Sequence, residues 1–586
     1  MRSEQENEVI YQGDGWIMVR TDDDNLFDVL YGEGYERVVL VNELADGTFE
    51  YIIGKKSEDV VGFPVGPETE IGTFLFELNK LEMGWKGSNL YGGAPMNTDG
   101  SRSILTPHTV ASLINFTIRE GTAIRSSDSG MSKKQEGEID PSLIFDEAIL
   151  DFQVDAERLG RVNYVNLDNA ATTPPFLAVQ RGVDDYLVTY GSVHRGAGIK
   201  SKVSTDVYER TRDVIRDFVG APENFYVLFT GNTTGAMNTA AYFFSFLEGK
   251  VAVSQIEHSS SWLPWIKTEG EKSLGNRRVE FQHLPEVQEH IQEAGREMVL
   301  RYSLDKNGEF DLDGIEEMLK SNNIKAFVLT ASSNLTGYRP DIRKIGEIVH
   351  RYGAYYIVDA CQFLQHHKID MMEMVIDFLA ASGHKFYAPY GGGFLIGPKI
   401  FLDQFLPYQI GGGNLPYITK EGVFLRYKNQ LAHDPGTPNA IGAVAMSVAL
   451  EKLKEIGIDR IEAYESRLTR IAFDALKKNP KVRILVSDLH LSTVLPFVVD
   501  GFDSKIFAER LNREFGIGVR AGSFCVYDVV RELLGIEDES KVIEAVERGD
   551  TMLIPGVIRA SFALCNTERD VDRLVQAVNF ITENKN

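Results

Sequence analysis

Residues 380–393 read AASGHKFYAPYGGG and set Lys385 behind Ser382 and His384 and ahead of Gly391, Gly392 and Gly393. A lone lysine beside glycines is ordinarily a solvated loop residue. It becomes something else only when the rest of the chain supplies what a buried amine needs. The apolar run FLAAS enters this turn and GGFLIG leaves it, so Lys385 lies between two expected strands.

Outward from that turn, residues 162–435 keep one rhythm. Short apolar, β-branched runs (YVLFT, KVAVSQI, KAFVLTA, YYIVDA) alternate with amphipathic stretches such as DIRKIGEIVHRYG. Strands that are apolar throughout, separated by helices, predict an α/β fold with a mixed, mostly parallel sheet covered on both faces. Ligands of such sheets bind at the carboxyl ends of the strands. Beyond 435, a helix over NAIGAVAMSVALEKLKEIG leads into TVLPFVVDG, VRAGSFC and VIRASFAL, which predicts a smaller α+β C-terminal domain over 436–586.

Before 162 lie a linker rich in Ser, Gly and charge (126–161) and an extra N-terminal α+β domain of unknown role (1–125). In that domain EVIYQGDGWIMVR, RVVLVNEL and TFEYIIGKK predict strands, with a hairpin turn at Ala45-Asp46-Gly47. TPHTVASLINFTIREG predicts a helix capped by Thr106, opened by Pro107 and stopped at Gly121, and GWKGSNLYGGAPMNTDGSRS reads as a solvated loop.

With 586 residues, 43% of them apolar and 25% charged, the composition is that of a soluble globular chain of more than one domain. A net charge of −24 argues against nucleic acid or an anionic membrane as the main partner. No stretch approaches the roughly 20 apolar residues of a membrane span. The start, MRSEQENEVIYQGDG, lacks the apolar core of a secretory signal, and a cytoplasmic location is expected. Three cysteines, Cys361, Cys525 and Cys565, without a CxxC spacing, predict neither a disulfide framework nor a metal site.

Four features fall at strand ends. LFTGNTTGAMNTAA (228–241) runs from strand through a Gly/Thr turn into a helix, where Thr233 and Thr234 suit a phosphate, although a plain helix cap uses the same residues. Asp359 ends YYIVDA. A buried carboxylate there needs a cation or strong donors; a protonated pyridine nitrogen would meet that need, and so would a capping role. His258 follows VSQI, and Lys385 completes the set. A lysine for a Schiff base, a carboxylate for a pyridinium and a helix start for a phosphate are the parts of a pyridoxal-phosphate site.

These stretches, with NLDNAATTPP, VHRGAG, SSNLTGYRPDI, VDACQ, GTPN and IRASFALCNTERDVDRLV, resemble the fold-type I, class V aminotransferase-like enzymes over residues 162–583, and among them the cysteine desulfurase/selenocysteine lyase group. The resemblance implies pyridoxal 5'-phosphate on Lys385, with Asp359 at the pyridinium nitrogen and Gln362 at the phenolic oxygen. His258 would stack on the ring and pass protons. Thr233, Thr234, Ser382 and His384 would surround the phosphate, and Thr437 of GTPN would reach the phosphate of the other subunit in a homodimer. Arg559 would clamp an amino-acid substrate's carboxylate through two parallel hydrogen bonds, joined by Arg520 and Asn334.

Cys525 decides the reaction. VRAGSFCVYD keeps the Arg-x-Gly-x-x-Cys spacing that carries the sulfur acceptor in the resembled family. A thiolate that attacks sulfur must be accessible and near positive charge, whereas an ordinary free cysteine is a small apolar filler. Two departures stand out. Ser523 and Phe524 precede the cysteine, with VYDVVRELLGI following as a helix. EHSSSW carries serines where desulfurases often have His and Asn. Cys361 and Cys565 read as structural, with Cys361 near enough to Asp359 to approach the cofactor.

The expected function is a cysteine desulfurase that converts L-cysteine to L-alanine and a Cys525 persulfide, with a sulfur-acceptor protein as candidate partner. The alternative is a class V lyase or aminotransferase acting on another amino acid, or another sulfur-containing one, without a covalent cysteine step. A third reading, a non-catalytic fold whose N-terminal domain binds or scaffolds, has Lys385, Asp359 and Arg559 against it.

Overall fold

The computed structural model describes residues 152–584 except 276–282, 306–307, 488–491 and 552; before them it describes 8–13, 16–21, 26–44, 48–57, 86–87, 91–93 and positions 65, 103, 107, 110 and 114. The chain divides into two compact units, 1–136 with 182–208, and 137–181 with 209–586. No described helix is long and apolar enough to cross a membrane.

In the first unit the described strands form one sheet in the order Glu8–Gly13, Trp16–Arg20, Arg37–Glu43, Phe49–Lys55, Tyr91–Gly93, Lys86–Gly87. Alternation sorts its side chains by face. Trp16, Met18, Val39, Val41, Tyr51 and Ile53 pack with Val110 and Ile114, whereas Ile17, Val19, Val38 and Leu40 pack with the helix Leu26–Gly32. Pro107, Val110 and Ile114 are helical, as expected, while Thr106, Gly121 and the Ala45-Asp46-Gly47 turn lie outside the described residues. Part of the stretch read as a solvated loop instead adds two short strands on one side of the sheet, with Lys86–Gly87 outermost, and Ser103 bridges to Phe49.

The second unit holds, among the described residues, a seven-stranded sheet. From edge to edge it runs Phe225–Thr230, Gly393–Pro398, Phe378–Ser382, Tyr355–Asp359, Ile324–Thr330, Lys250–Ser254, Val299–Tyr302. Only Gly393–Pro398 runs against the others, so the sheet is mixed and mostly parallel. Its centre is apolar without alternation because both faces are covered: every residue of Ile324–Thr330 is buried. Each such Val, Leu or Phe contributes roughly 1.5–3 kcal/mol.

A second, antiparallel sheet follows in the order Val482–Ile484, Val494–Val499, Val557–Ser561, Arg520–Gly522. Phe497, Phe507, Leu511, Ile558 and Leu574 are among the residues of its core. Val165–Asn166 pairs in parallel with Ile517–Gly518, and Asp168 bridges to Ser561. That pairing carries residues 168–173 to the strand bearing Arg559. The final part of the expected linker forms a hairpin, Gln153–Ala156 with Gly160–Asn163.

Candidate active site

A cavity of about 290 Å³ opens in the second unit, lined by strand ends and by the loop after Arg520–Gly522. Thr233, Thr234, His258, Asn334, Asp359, Gln362, Ser382, His384, Lys385, Arg520, Cys525 and Arg559 all line it. Thr437 is exposed and lies outside the lining.

Lys385 ends a single 3-10 turn, Gly383–Lys385, directly after the buried strand Phe378–Ser382. Its Nζ donates to the Ala170 carbonyl, which also accepts from Gln362 Nε2 at 2.6 Å. Burial pushes the amine's pKa down from its ordinary value. Half-buried and lining the cavity, this lysine is not a plain surface residue. The glycines that follow have separate uses: Gly391 takes φ +69°, and a Cβ on Gly393 would stand 2.7 Å from the Asn232 backbone.

Asn232 caps the helix Thr233–Phe244, its side chain accepting from the Gly235 N–H at 2.9 Å. The Thr233 N–H donates to Ser382 Oγ at 2.6 Å, and the Thr233 and Ser382 hydroxyls share a hydrogen bond of 2.7 Å. Burial, and then the charge of Lys385, push His384 down to about 4, which leaves it neutral. Hydroxyls around a helix start, beside a neutral imidazole, suit a phosphate.

Asp359 is 4% exposed at the end of its strand. Ser261 Oγ donates to its Oδ2 and the Cys361 N–H to its Oδ1 at 2.9 Å. This is the donor set that a buried carboxylate requires. Cys361, expected to be structural, also lines the cavity, and burial raises its thiol pKa. Cys565 is buried, with its thiol pKa raised for the same reason.

His258 caps the helix Ser259–Ser273, its Nδ1 accepting from the Ser260 N–H at 3.1 Å. That bond assigns the remaining proton to Nε2 in the neutral ring, and burial favours the neutral form.

Arg559 is 1% exposed. Its Nη1 donates to the Asn334 carbonyl at 2.8 Å and its Nη2 to Asp168 Oδ1 at 3.0 Å, while Arg520 Nη1 stands 3.4 Å from Asp168 Oδ2. The buried Nε of Arg559 has no partner among the described residues, and burial brings this guanidinium down to about 10. Asp168 and Ala170, within NLDNAATTPP, enter the site through partners 192 to 391 residues away, beyond the reach of any local pattern.

The loop bearing Cys525 is held in an uncommon shape. Phe524 and Cys525 both adopt left-handed φ, 52° and 59°. Such residues cost roughly 1–3 kcal/mol each and persist only where neighbours hold them. Asn334 Nδ2 donates to the Phe524 carbonyl at 2.9 Å, and the Arg559 guanidinium lies 4.7 Å from the Phe524 ring centroid. The Cys525 carbonyl accepts from the N–H and the Oγ of Ser259, both at 2.9 Å. Cys525 is exposed at the cavity wall, which removes the buried-filler reading. The helix expected after it spans Tyr527–Leu534.

The family model Aminotransferase class-V matches residues 165–293 and 279–574. The chain is 30% identical to a cysteine desulfurase of Synechococcus elongatus across 74% of its own length and 62% of that protein, so it spans less than two thirds of that relative. It is also 30% identical to a probable cysteine desulfurase of Halalkalibacterium halodurans, across 73% of this chain and 95% of that one. The solved structure of the cysteine desulfurase CsdA from Escherichia coli superposes with a TM-score of 0.60 at 27% identity, covering 76% of this chain and all of that one.

Proposed function

This chain belongs to the class V aminotransferase family and, within it, to the cysteine desulfurases, and we propose that it cleaves the C–S bond of L-cysteine and passes the sulfur to Cys525. One observation carries this reading: an exposed thiol shares a single cavity with a half-buried lysine and a buried arginine.

The residues present fit pyridoxal 5'-phosphate, the cofactor of this family. Lys385 supplies the amine, Asp359 the carboxylate for the ring nitrogen, and Thr233, Thr234, Ser382 and His384 the phosphate cradle. Bound there, the cofactor supplies an electron sink for the pair left on the substrate Cα. Lys385, kept neutral more readily by burial, takes the Cα proton. Arg559, with Nε open and Nη2 on Asp168, receives the substrate carboxylate, and Asn334 fixes the guanidinium from the other side. The Cys525 thiolate forms an S–S bond to the substrate sulfur as the C–S bond breaks. The electron pair of that bond leaves on Cβ, which is protonated, so that cysteine and thiol become alanine and persulfide.

Thr437, exposed outside this chain's cavity, is proposed to complete the phosphate site of a second copy in a homodimer. A sulfur-acceptor protein and a cytoplasmic location complete the proposal. The domain limits 1–125, 126–161, 162–435 and 436–586 are kept as its working frame.

Replacing Cys525 by Ala tests the reading. Production of sulfide and alanine from L-cysteine should fall by about 10³-fold or more, while the cofactor's visible absorbance stays. Undiminished desulfuration by this variant sinks the role of Cys525. A keto acid in place of alanine, from the unaltered enzyme, sinks the reaction.

A further inference from the structure

The run Ser259-Ser260-Ser261 stands where desulfurases often carry His and Asn, and each serine reaches a different part of the cavity. Ser261 Oγ donates to Asp359, Ser260 Oγ bonds Thr234 Oγ1 at 2.7 Å, and Ser259 donates twice to the Cys525 carbonyl. The three consecutive residues therefore tie one helix start to the cofactor carboxylate, to the phosphate cradle and to the sulfur loop.

The third tie has a mechanical consequence. Phe524, at 8% exposure, is kept in its left-handed conformation by its own packing, by Asn334 and by the Arg559 guanidinium. Cys525 is exposed and gains no such packing. Its conformation is uncommon for a residue with a Cβ, so its hold falls to its backbone carbonyl, and the partners of that carbonyl are the N–H and hydroxyl of Ser259.

We propose that Ser259 is a positioning residue for sulfur transfer: its hydroxyl fastens the Cys525 carbonyl to the helix capped by His258 and keeps the thiol at the cavity wall. This rests on the reading of Cys525 as sulfur acceptor. The residue acts on the loop and not on substrate binding, so the effect should separate kcat from KM.

The test uses full-length holoenzyme carrying Ser259→Ala or Ser259→Thr. Losing one of two hydrogen bonds to the carbonyl should lower kcat for sulfide release about tenfold. The KM for L-cysteine and the absorbance change on adding L-cysteine should stay unchanged, and Ser259→Thr, which keeps the hydroxyl, should stay close to the unaltered enzyme. Alkylation of Cys525 by iodoacetamide, followed by peptide mass spectrometry, should run at least about threefold faster in Ser259→Ala, because the loop is freed.

Equal alkylation rates in the two proteins overturn the proposal whatever reaction the enzyme performs. So does a fall in cofactor absorbance that tracks the loss of rate, since it would place the effect on cofactor binding. Should the unaltered enzyme make no alanine from L-cysteine, the desulfurase reading fails on that ground alone, and the alkylation comparison still decides whether Ser259 holds the loop.

Discussion

Asp359 and Cys525 line one cavity and are held there in opposite ways. Asp359 ends a strand in the middle of the sheet, is 4% exposed, and has donors on both carboxylate oxygens. Cys525 is exposed, follows a three-residue strand, and sits in a left-handed conformation held through its carbonyl. The first arrangement suits groups that must stay fixed relative to a bound ring. The second suits a group that must meet a substrate and later give up what it has taken. Fixing by burial and fixing by a few backbone hydrogen bonds differ in strength, and that difference can be measured.

The largest effect is expected at the fixed end. Lys385→Ala removes the amine proposed both to carry the cofactor and to act as the base at Cα. The rate of L-cysteine turnover should fall at least about 10³-fold, measured as alanine formed under saturating substrate. A fall of less than tenfold would show that another group does this work and would undo the contrast.

Much of the fixed end was legible in the sequence. Apolar runs without alternation gave the central strands, and the side chains at their ends, Asp359, Ser382 and Lys385, came out in the right order because strand ends are where such runs stop. The four-residue strand Val299–Tyr302 was missed: it follows the helix Leu284–Met298 without a break signal and lies at the sheet edge. The Cys525 loop was legible only by its spacing. Nothing in Phe524-Cys525 announces positive φ, since neither residue type favours it. Asp168 stayed unread because its partner Arg559 lies 391 residues away, and the two are brought together by the pairing of Val165–Asn166 with Ile517–Gly518 and by the bridge from Asp168 to Ser561.

An intermediate effect tests the buried layer beneath His258. Glu257 is 1% exposed; its Oε1 accepts from Ser254 Oγ and from the Thr330 N–H, both at 2.6 Å, and its Oε2 has no partner among the described residues. Burial lifts its pKa from 4.5 to about 8. The folded state therefore binds this proton more tightly than the unfolded state does. Stability from the neutral form is complete below the unfolded pKa and is lost as pH rises through the folded one. Glu257→Gln removes the titration. Its unfolding free energy relative to the unaltered protein should thus improve between about pH 5 and pH 8, by up to roughly 1.4 kcal/mol per pH unit. A difference that stays flat across that window would mean the carboxyl is ionised in the fold.

The smallest effect bears on strain at the other end of the comparison. Cys525→Gly and Cys525→Ala both lack the thiol and neither exposes new core, so activity cannot separate them, but stability should. Glycine adopts φ near +59° freely, whereas alanine, like cysteine, sets its Cβ against the following carbonyl. The left-handed penalty of about 1–2 kcal/mol per residue is offset in part by glycine's larger unfolded-state entropy, which costs about 0.5–1 kcal/mol. The net advantage of Cys525→Gly over Cys525→Ala is therefore about 0–1.5 kcal/mol, centred at about 0.75 kcal/mol, read as a later denaturant midpoint with an unchanged slope. Were alanine the more stable of the two, the left-handed position would carry no strain, and the carbonyl contacts would have nothing to hold in place.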